Sequence, residues 1–355
     1  MAVVDQTRLE EFLGRVVGDL SATYGGAMAS LGGKLGLYAA MAGGGPLTSG
    51  EVAARAGCDE RLVREWLNAQ AAGGYVEYHP QSRCYELTPE QAAVLADPES
   101  PVYVTPAWDI PASMFIDEER TIEAFRTGTG VAWGDRHPRL HHGVADFYRN
   151  AYRATVATEW IPALDGVAGA LAAGGRVADV GCGHGHSTIA MADAFPAARF
   201  HGFDTHPESV EAARANARSA GVADRTAFDV ADASGFPGDG YDLICFFDAL
   251  HDLGDPQGAL RHAVDALAPG GAVMLVEPYA GDRVEDNLTP VGRIYYAAST
   301  VLCTAHAISE GGSDVLGAQA GPARIAELCR RAGLTRLRKA AETPFNMVLE
   351  ARAAA

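Results

Sequence analysis

The sequence predicts an α/β chain: a doubly wound parallel sheet behind a smaller, mainly helical N-terminal domain. Three observations carry this. From residue 176 to 277, short β-prone apolar runs alternate with helical stripes, the rhythm of βαβ units. A glycine-rich loop, Gly181-Cys182-Gly183-His184-Gly185, stands where the first of those strands meets the next helix. Before residue 100 the order is helix, turn, helix and a small hairpin.

Taken in order, Leu9, Phe12, Leu13, Val16, Val17 and Leu20 form a helical stripe over residues 9–20, and a glycine-rich stretch follows. Thr48 with Glu51 three residues on is a capping box, opening a short helix that ends near Gly57. A second helix starts near Glu60, with Leu62, Val63, Trp66, Leu67 and Ala71 on its apolar face, and stops at Gly73-Gly74. Tyr75–Tyr78 and Cys84–Leu87 alternate like two strands around a turn at 80–83, which completes the winged-helix order. Residues 101–165 are expected as a helical connector, with a helical pattern over Val156–Ala173. Strands are then expected at 176–180, 199–203, 226–230, 241–247, 272–277, 334–340 and 346–351. Helices are expected at 187–195, 208–220, 258–267 and 325–332, and Pro269-Gly270-Gly271 stops the third of them. The domain boundaries read as 1–100, 101–165 and 166–355, with an insertion over about 280–320.

At 355 residues and 48% hydrophobic composition, the chain can bury more than one sizeable core. The formal charge of −17 repels phosphate backbones and anionic lipid, so nucleic-acid and membrane-surface binding are disfavoured. Residues 1–100 hold seven basic and thirteen acidic side chains, too acidic for a DNA reader. The winged helix is therefore expected to pair two subunits and help wall a ligand site. No signal-peptide pattern or membrane span is visible, and the six cysteines are scattered, so a cytoplasmic chain with reduced thiols is expected.

Asp179 ends the first strand before the glycine loop, Asp204 ends the second and Asp232 follows the third. Three acids thus stand at the carboxyl ends of successive strands, where doubly wound sheets bind ligands. Position 186 is His, not the third glycine of a dinucleotide fingerprint, and a carboxylate at 179 suits an ammonium or sulfonium ligand better than a pyrophosphate.

The loop, Asp204, Asp232 and the Pro-Gly-Gly turn, in that order, resemble the class I S-adenosylmethionine-dependent methyltransferases, over roughly residues 156–351. The resemblance implies a Rossmann-like seven-stranded sheet whose final two strands form a reversed hairpin. It implies that Asp179, Gly181 and Gly183 line the methionine end of the cofactor, Asp204 the ribose, and Asp232 with Ala233 the adenine. Cys182, Thr205, Phe247 and Asp248 join the expected cofactor-binding residues.

Leu250-His251-Asp252-Leu253 is similar to the Leu-His-Asp-Trp element of small-molecule O-methyltransferases, with Leu253 in place of Trp. Those enzymes also carry an N-terminal winged-helix dimerisation domain. The resemblance makes His251 the candidate general base; a structural role at the strand–helix junction is the other reading. Asp248 and Asp252 are close enough in sequence to orient its ring. A bacterial group of winged-helix methyltransferases is closer still, on residues 147–153, 160–164 and 290–296. By that resemblance Arg149 or Tyr152 approaches the cofactor carboxylate, and the insertion roofs the acceptor pocket, with Tyr295 and Tyr296 either lining that pocket or packing as core aromatics of a lid helix.

The expectation is a homodimeric enzyme moving a methyl group to a small-molecule hydroxyl. N-, S- or C-methylation on the same scaffold and a metabolite-sensing regulator are the alternatives. No metal site is expected: His137, His141 and His142 read as a surface or pocket-rim cluster, and Cys303 and Cys329 as small core residues.

Overall fold

The computed structural model describes residues 4–354. The chain divides into two compact units. One takes the residues up to Ser113 together with His142–Asn150, and the other takes Met114–His141 and Ala151 onward. Among the described residues, no helix is long and apolar enough to cross a membrane.

The first unit begins with the helix Gln6–Lys34, capped by Asp5, whose carboxylate accepts the Arg8 N–H. This helix runs straight through the glycine-rich stretch that was expected to follow residue 20. The glycines are there for close packing: a Cβ on Gly26 would stand 2.6 Å from the Trp108 ring and one on Gly32 2.4 Å from Trp66. The helix Ser49–Ala56 carries both bonds of the Thr48–Glu51 capping box and ends at Gly57. The helix Glu60–Ala72 ends at Gly73. Strands β1 (Glu77–His79) and β2 (Cys84–Glu86) pair antiparallel as the wing. Leu37, Tyr38, Met41, Val52, Trp66, Leu67 and Tyr85 form the core. Within it the Tyr38 hydroxyl donates to Gln70 Oε1 at 2.5 Å.

In the second unit the sheet strands are β3 (Arg176–Val180), β4 (Arg199–Asp204), β5 (Thr226–Val230), β6 (Tyr241–Phe247), β7 (Leu267–Pro278), β8 (Arg336–Glu342) and β9 (Asn346–Arg352). Their order is β5-β4-β3-β6-β7-β9-β8. β3 to β7 are parallel, and β9 runs antiparallel to both β7 and β8. The order reverses at β3 and β6, so their carboxyl ends form the crevice in which such sheets bind ligands. Val180, Phe203, Ile244, Phe246, Val273, Leu275 and Leu349 are buried in the core around them.

Two expectations need correction. Pro269-Gly270-Gly271 does not precede a strand. It lies inside β7, where the pairing to β6 slips between Tyr241↔Leu267 and Leu243↔Ala272, and Gly270 takes φ +81°. The helix expected over 156–173 is also displaced. An 18-residue helix, Pro138–Thr155, comes before it and passes into a π-turn, Val156–Trp160. Pro162 and Gly166 then interrupt the chain before the short helix Val167–Ala172.

Candidate active site

The glycine loop leaves β3 with Gly181 at φ +76° and Gly183 at φ +50°, a region that side chains disfavour. A Cβ on Gly181 would lie 2.6 Å from that of Ala249, whereas one on Gly183 would meet nothing within 4 Å. The loop thus packs tightly on one side and faces open space on the other. Asp179 lies beneath it, fully buried. Its Oδ2 accepts the Ser187 and Thr188 hydroxyls, each at 2.6 Å, and anchors the first turn of the helix His186–Ala194. Its Oδ1 has no hydrogen-bond partner. Burial raises the Asp179 carboxyl to about 6, against the pull of its two hydroxyl donors.

Asp204, at the end of β4, accepts the Gly183 N–H at 2.8 Å and the His206 N–H at 2.9 Å. One carboxylate therefore ties the loop to the next strand, and its remaining lone pairs are available to hydroxyl donors. Thr205 beside it is exposed. Asp232 is exposed past β5, with Oδ1 accepting the Ser234 backbone N–H at 2.7 Å and its hydroxyl at 2.5 Å, and Ala233 is buried. Cys182 is buried at the loop's base, where burial raises its thiol well above the usual range.

Beside Asp204 lies a group of rings that the sequence did not bring together. His141 packs on His206 at 4.7 Å and on Trp133 at 5.1 Å, and the Trp133 N–H donates to His306 Nδ1. His137 caps the helix Pro138–Thr155, accepting the Arg139 N–H, while His141 is buried.

At the end of β6, Phe247 packs on Tyr152 at 5.3 Å and on Trp160 at 6.3 Å. Asp248 follows at φ +49°, rare outside glycine and best tolerated by Asn and Asp. Its Oδ2 accepts the Tyr152 hydroxyl at 3.0 Å and its Oδ1 the Asn346 amide at 2.8 Å. Burial raises this carboxyl from 3.8 to about 7, against the nearby His251 ring. A raised acid favours the protonated folded state. Its stabilising contribution is complete below 3.8 and is lost as pH rises through about 7. Asp248→Asn, which stays neutral, is expected to gain melting temperature over the parent progressively between pH 4 and 7 and no further above. A pH series of thermal melts checks this.

His251 is 4% exposed, in the single turn Leu250–Asp252. Its Nδ1 lies 2.7 Å from Glu277 Oε2, and its Nε2 faces Asp252 Oδ1 at 3.2 Å. The orienting carboxylate is therefore Glu277, from the end of β7, and not Asp248. Burial pulls the ring's basicity down, but the Asp252 and Glu277 carboxylates outweigh it and hold the ring well above 6.5. Glu277 Oε1, 2% exposed as a residue, has no hydrogen-bond partner.

Of the remaining expected residues, Tyr295 is in this neighbourhood. Its hydroxyl donates to Phe345 O at 2.7 Å, and burial, with the nearby Asp248, raises its pKa. Tyr296 is elsewhere, its hydroxyl 3.4 Å from the Asn287 amide. Arg149 belongs to the first unit, where it donates to Pro98 O and Asn150 Oδ1. Cys303, expected as a plain core residue, lies against His251 and Asp252, whereas Cys329 is fully buried among core residues. Glu277, Asn346 and Cys303 were not anticipated as site residues.

Comparison with known proteins agrees with this fold. Residues 171–333 match the family model of a methyltransferase domain, and residues 24–97 match that of an Rv2258c-like winged HTH domain. The chain is similar to the 27-O-demethylrifamycin SV methyltransferase of Amycolatopsis mediterranei, 33% identical over 157 residues, covering 43% of this chain and 55% of the relative. It is also similar to the trans-aconitate 2-methyltransferase of Streptomyces coelicolor, 35% identical over 104 residues, 29% of this chain and 34% of the relative. The chain thus spans at most about half the length of these curated relatives.

Two solved structures share the fold over nearly the whole chain. An O-methyltransferase family protein from Burkholderia thailandensis has a TM-score of 0.70 at 20% identity, covering 99% of both chains. Human N-acetylserotonin methyltransferase, solved with S-adenosylmethionine, has a TM-score of 0.71 at 16% identity, covering 100% of both. Residues 171–333 are thus a methyltransferase domain, joined in this chain to an N-terminal winged helix-turn-helix domain of the Rv2258c-like family.

Proposed function

We propose that this chain transfers a methyl group from S-adenosylmethionine to a hydroxyl of a small molecule, with His251 as general base. The observation that carries the reading is the carboxyl rim of the sheet. There an open glycine loop and the unpartnered Asp179 Oδ1 on β3, with the Asp204 carboxylate on β4, share the rim with the buried pair of His251, after β6, and Glu277, on β7.

The residues fit that cofactor. Gly183 leaves room for close approach, Asp179 offers an acceptor toward an ammonium group, and Asp204 can accept the ribose hydroxyls. Asp232, exposed past β5, and the buried Ala233 next to it would take the adenine edge. Bound S-adenosylmethionine supplies an activated methyl carbon on a sulfonium, so the chain's work is alignment, exclusion of water and proton removal. Tyr152, Phe247 and Trp160 form an apolar wall at that rim. His251 accepts the acceptor's proton at Nε2, and Glu277 on Nδ1 stabilises the resulting imidazolium. Tyr295, beside Asp248, lines the acceptor side.

Oxygen is favoured because relatives and fold neighbours named for their acceptor include a 27-O- and a 7-O-methyltransferase. Incubating the purified chain with isotopically labelled S-adenosylmethionine and a panel of phenols and polyketide hydroxyls, followed by mass spectrometry, tests the reading. A labelled methyl ether is the expected product. Label found only on nitrogen, sulfur or carbon acceptors would replace hydroxyl with that class.

The first unit supports a homodimer. On the helix Gln6–Lys34, Leu9, Phe12, Leu13, Val17 and Leu20 are 46–60% exposed, an apolar stripe along its first half. A second copy offering the same stripe would cover it symmetrically. Leu13→Glu with Val17→Glu is expected to halve the mass measured by light scattering. An unchanged mass would move the interface elsewhere.

A further inference from the structure

Asp252 and Cys303 take no part in the proposed reaction. They converge on the His251 ring, and one donor atom from each of the three residues lies within 4.8 Å of the other two. His251 and Asp252 are neighbours in the turn after β6. Cys303 ends the π-turn Ser299–Cys303, which the helix Pro290–Ala298 leads into.

We infer that His251, Asp252 and Cys303 form a binding site for a single thiophilic divalent cation of the zinc class, whose occupation blocks methyl transfer by taking His251 Nε2. The blocking half rests on the function proposed above, whereas the site itself rests on geometry alone.

Four features converge. Imidazole, carboxylate and thiol are the donor types that zinc selects, and three of them leave a fourth position open. The 4.8 Å spread is within reach of donors that each need to close to about 2.0–2.3 Å from one ion. Glu277 already holds Nδ1 at 2.7 Å, the arrangement by which a carboxylate behind a histidine aims its other nitrogen at a metal. Asp252 Oδ1 is a buried oxygen with no hydrogen bond; it faces Nε2 at 3.2 Å without the alignment of one. The buried Glu277 and the Asp252 carboxylate also compensate cationic charge there.

Burial pushes the Cys303 thiol up to about 12, so the metal-free protein keeps it protonated. Capture of the ion forms bonds to Sγ, Nε2 and a carboxylate oxygen. It displaces the thiol proton and any proton on Nε2 to the buffer, with no change in oxidation state.

The test is a cobalt(II) titration of the full chain, treated with chelator and then freed of it. Because Cys58 and Cys84 are partly exposed, both are replaced by alanine in every protein compared. One equivalent of cobalt is expected to bring up a thiolate charge-transfer band in the near ultraviolet with intense visible bands, and zinc to abolish them. Cys303→Ser and Asp252→Asn, checked for folding by their melts, are expected to weaken binding at least tenfold. Absence of the band in the folded parent, or its survival in Cys303→Ser, overturns the site. One equivalent of zinc is expected to stop methyl transfer by the parent. A full cobalt band with undiminished transfer would leave the site standing and contradict both the blocking claim and the role of Nε2.

Discussion

His251→Ala is expected to lower kcat by about a hundredfold to ten-thousandfold, the usual worth of a positioned general base. Affinity for S-adenosylhomocysteine stays within about twofold, because the proposed cofactor contacts are the glycine loop and Asp204, whose hydrogen bonds run to Gly183 and His206 and not to the ring. The variant also strands Glu277, a buried carboxylate whose Oε2 is held by the ring, so its melting temperature falls. His251→Asn, which can still donate to Glu277, separates the two effects: it recovers stability without turnover. A fall in kcat matched by an equal fall in cofactor affinity would assign the ring a structural role. The pH profile gives a second check, read with a chelator present. The Asp252 and Glu277 carboxylates hold the ring well above 6.5 despite its burial, so the acidic limb of kcat/KM stands above pH 6.5. Glu277→Gln removes one of those charges and moves the limb to lower pH.

Asp204→Ala is expected to weaken cofactor binding about a hundredfold. Two hydroxyl bonds to a charged acceptor are at stake, each worth about 1.5–3 kcal/mol before the remaining contacts readjust. The same substitution removes the acceptor for the Gly183 and His206 N–H groups, so the loop loses its tie to β4. Asp204→Asn keeps one acceptor oxygen and is expected to fall between. Calorimetry with S-adenosylhomocysteine measures all three proteins, and an unchanged affinity for Asp204→Ala would contradict the ribose assignment.

From Arg176 to Phe247 the sequence was legible because local signals and fold agree there. Three of the four strands match their apolar runs residue for residue, β4 runs one residue further, and both helices match to within a residue. Asp179 and Asp204 could be placed because each sits at or next to the end of its strand. What was missed depends on long-range contact. Glu277 is 26 residues from His251 and reaches it only because β7 pairs with β6. Asn346 reaches Asp248 across 98 residues, through β9 pairing antiparallel to β7. Cys303 arrives on a π-turn, which no hydrophobic period announces. The helix Gln6–Lys34 was cut short because glycine normally weakens a helix, and the tryptophans that justify Gly26 and Gly32 are 82 and 34 residues further on.

The rim of acids is the feature on which the account depends, and binding tests it without any acceptor. Purified chain is titrated with S-adenosylhomocysteine in a calorimeter and melted in its presence. The account predicts saturable heat at one molecule per chain and a melting temperature that rises with ligand concentration. A folded protein that gives neither heat nor shift, with this compound or with S-adenosylmethionine, would contradict it.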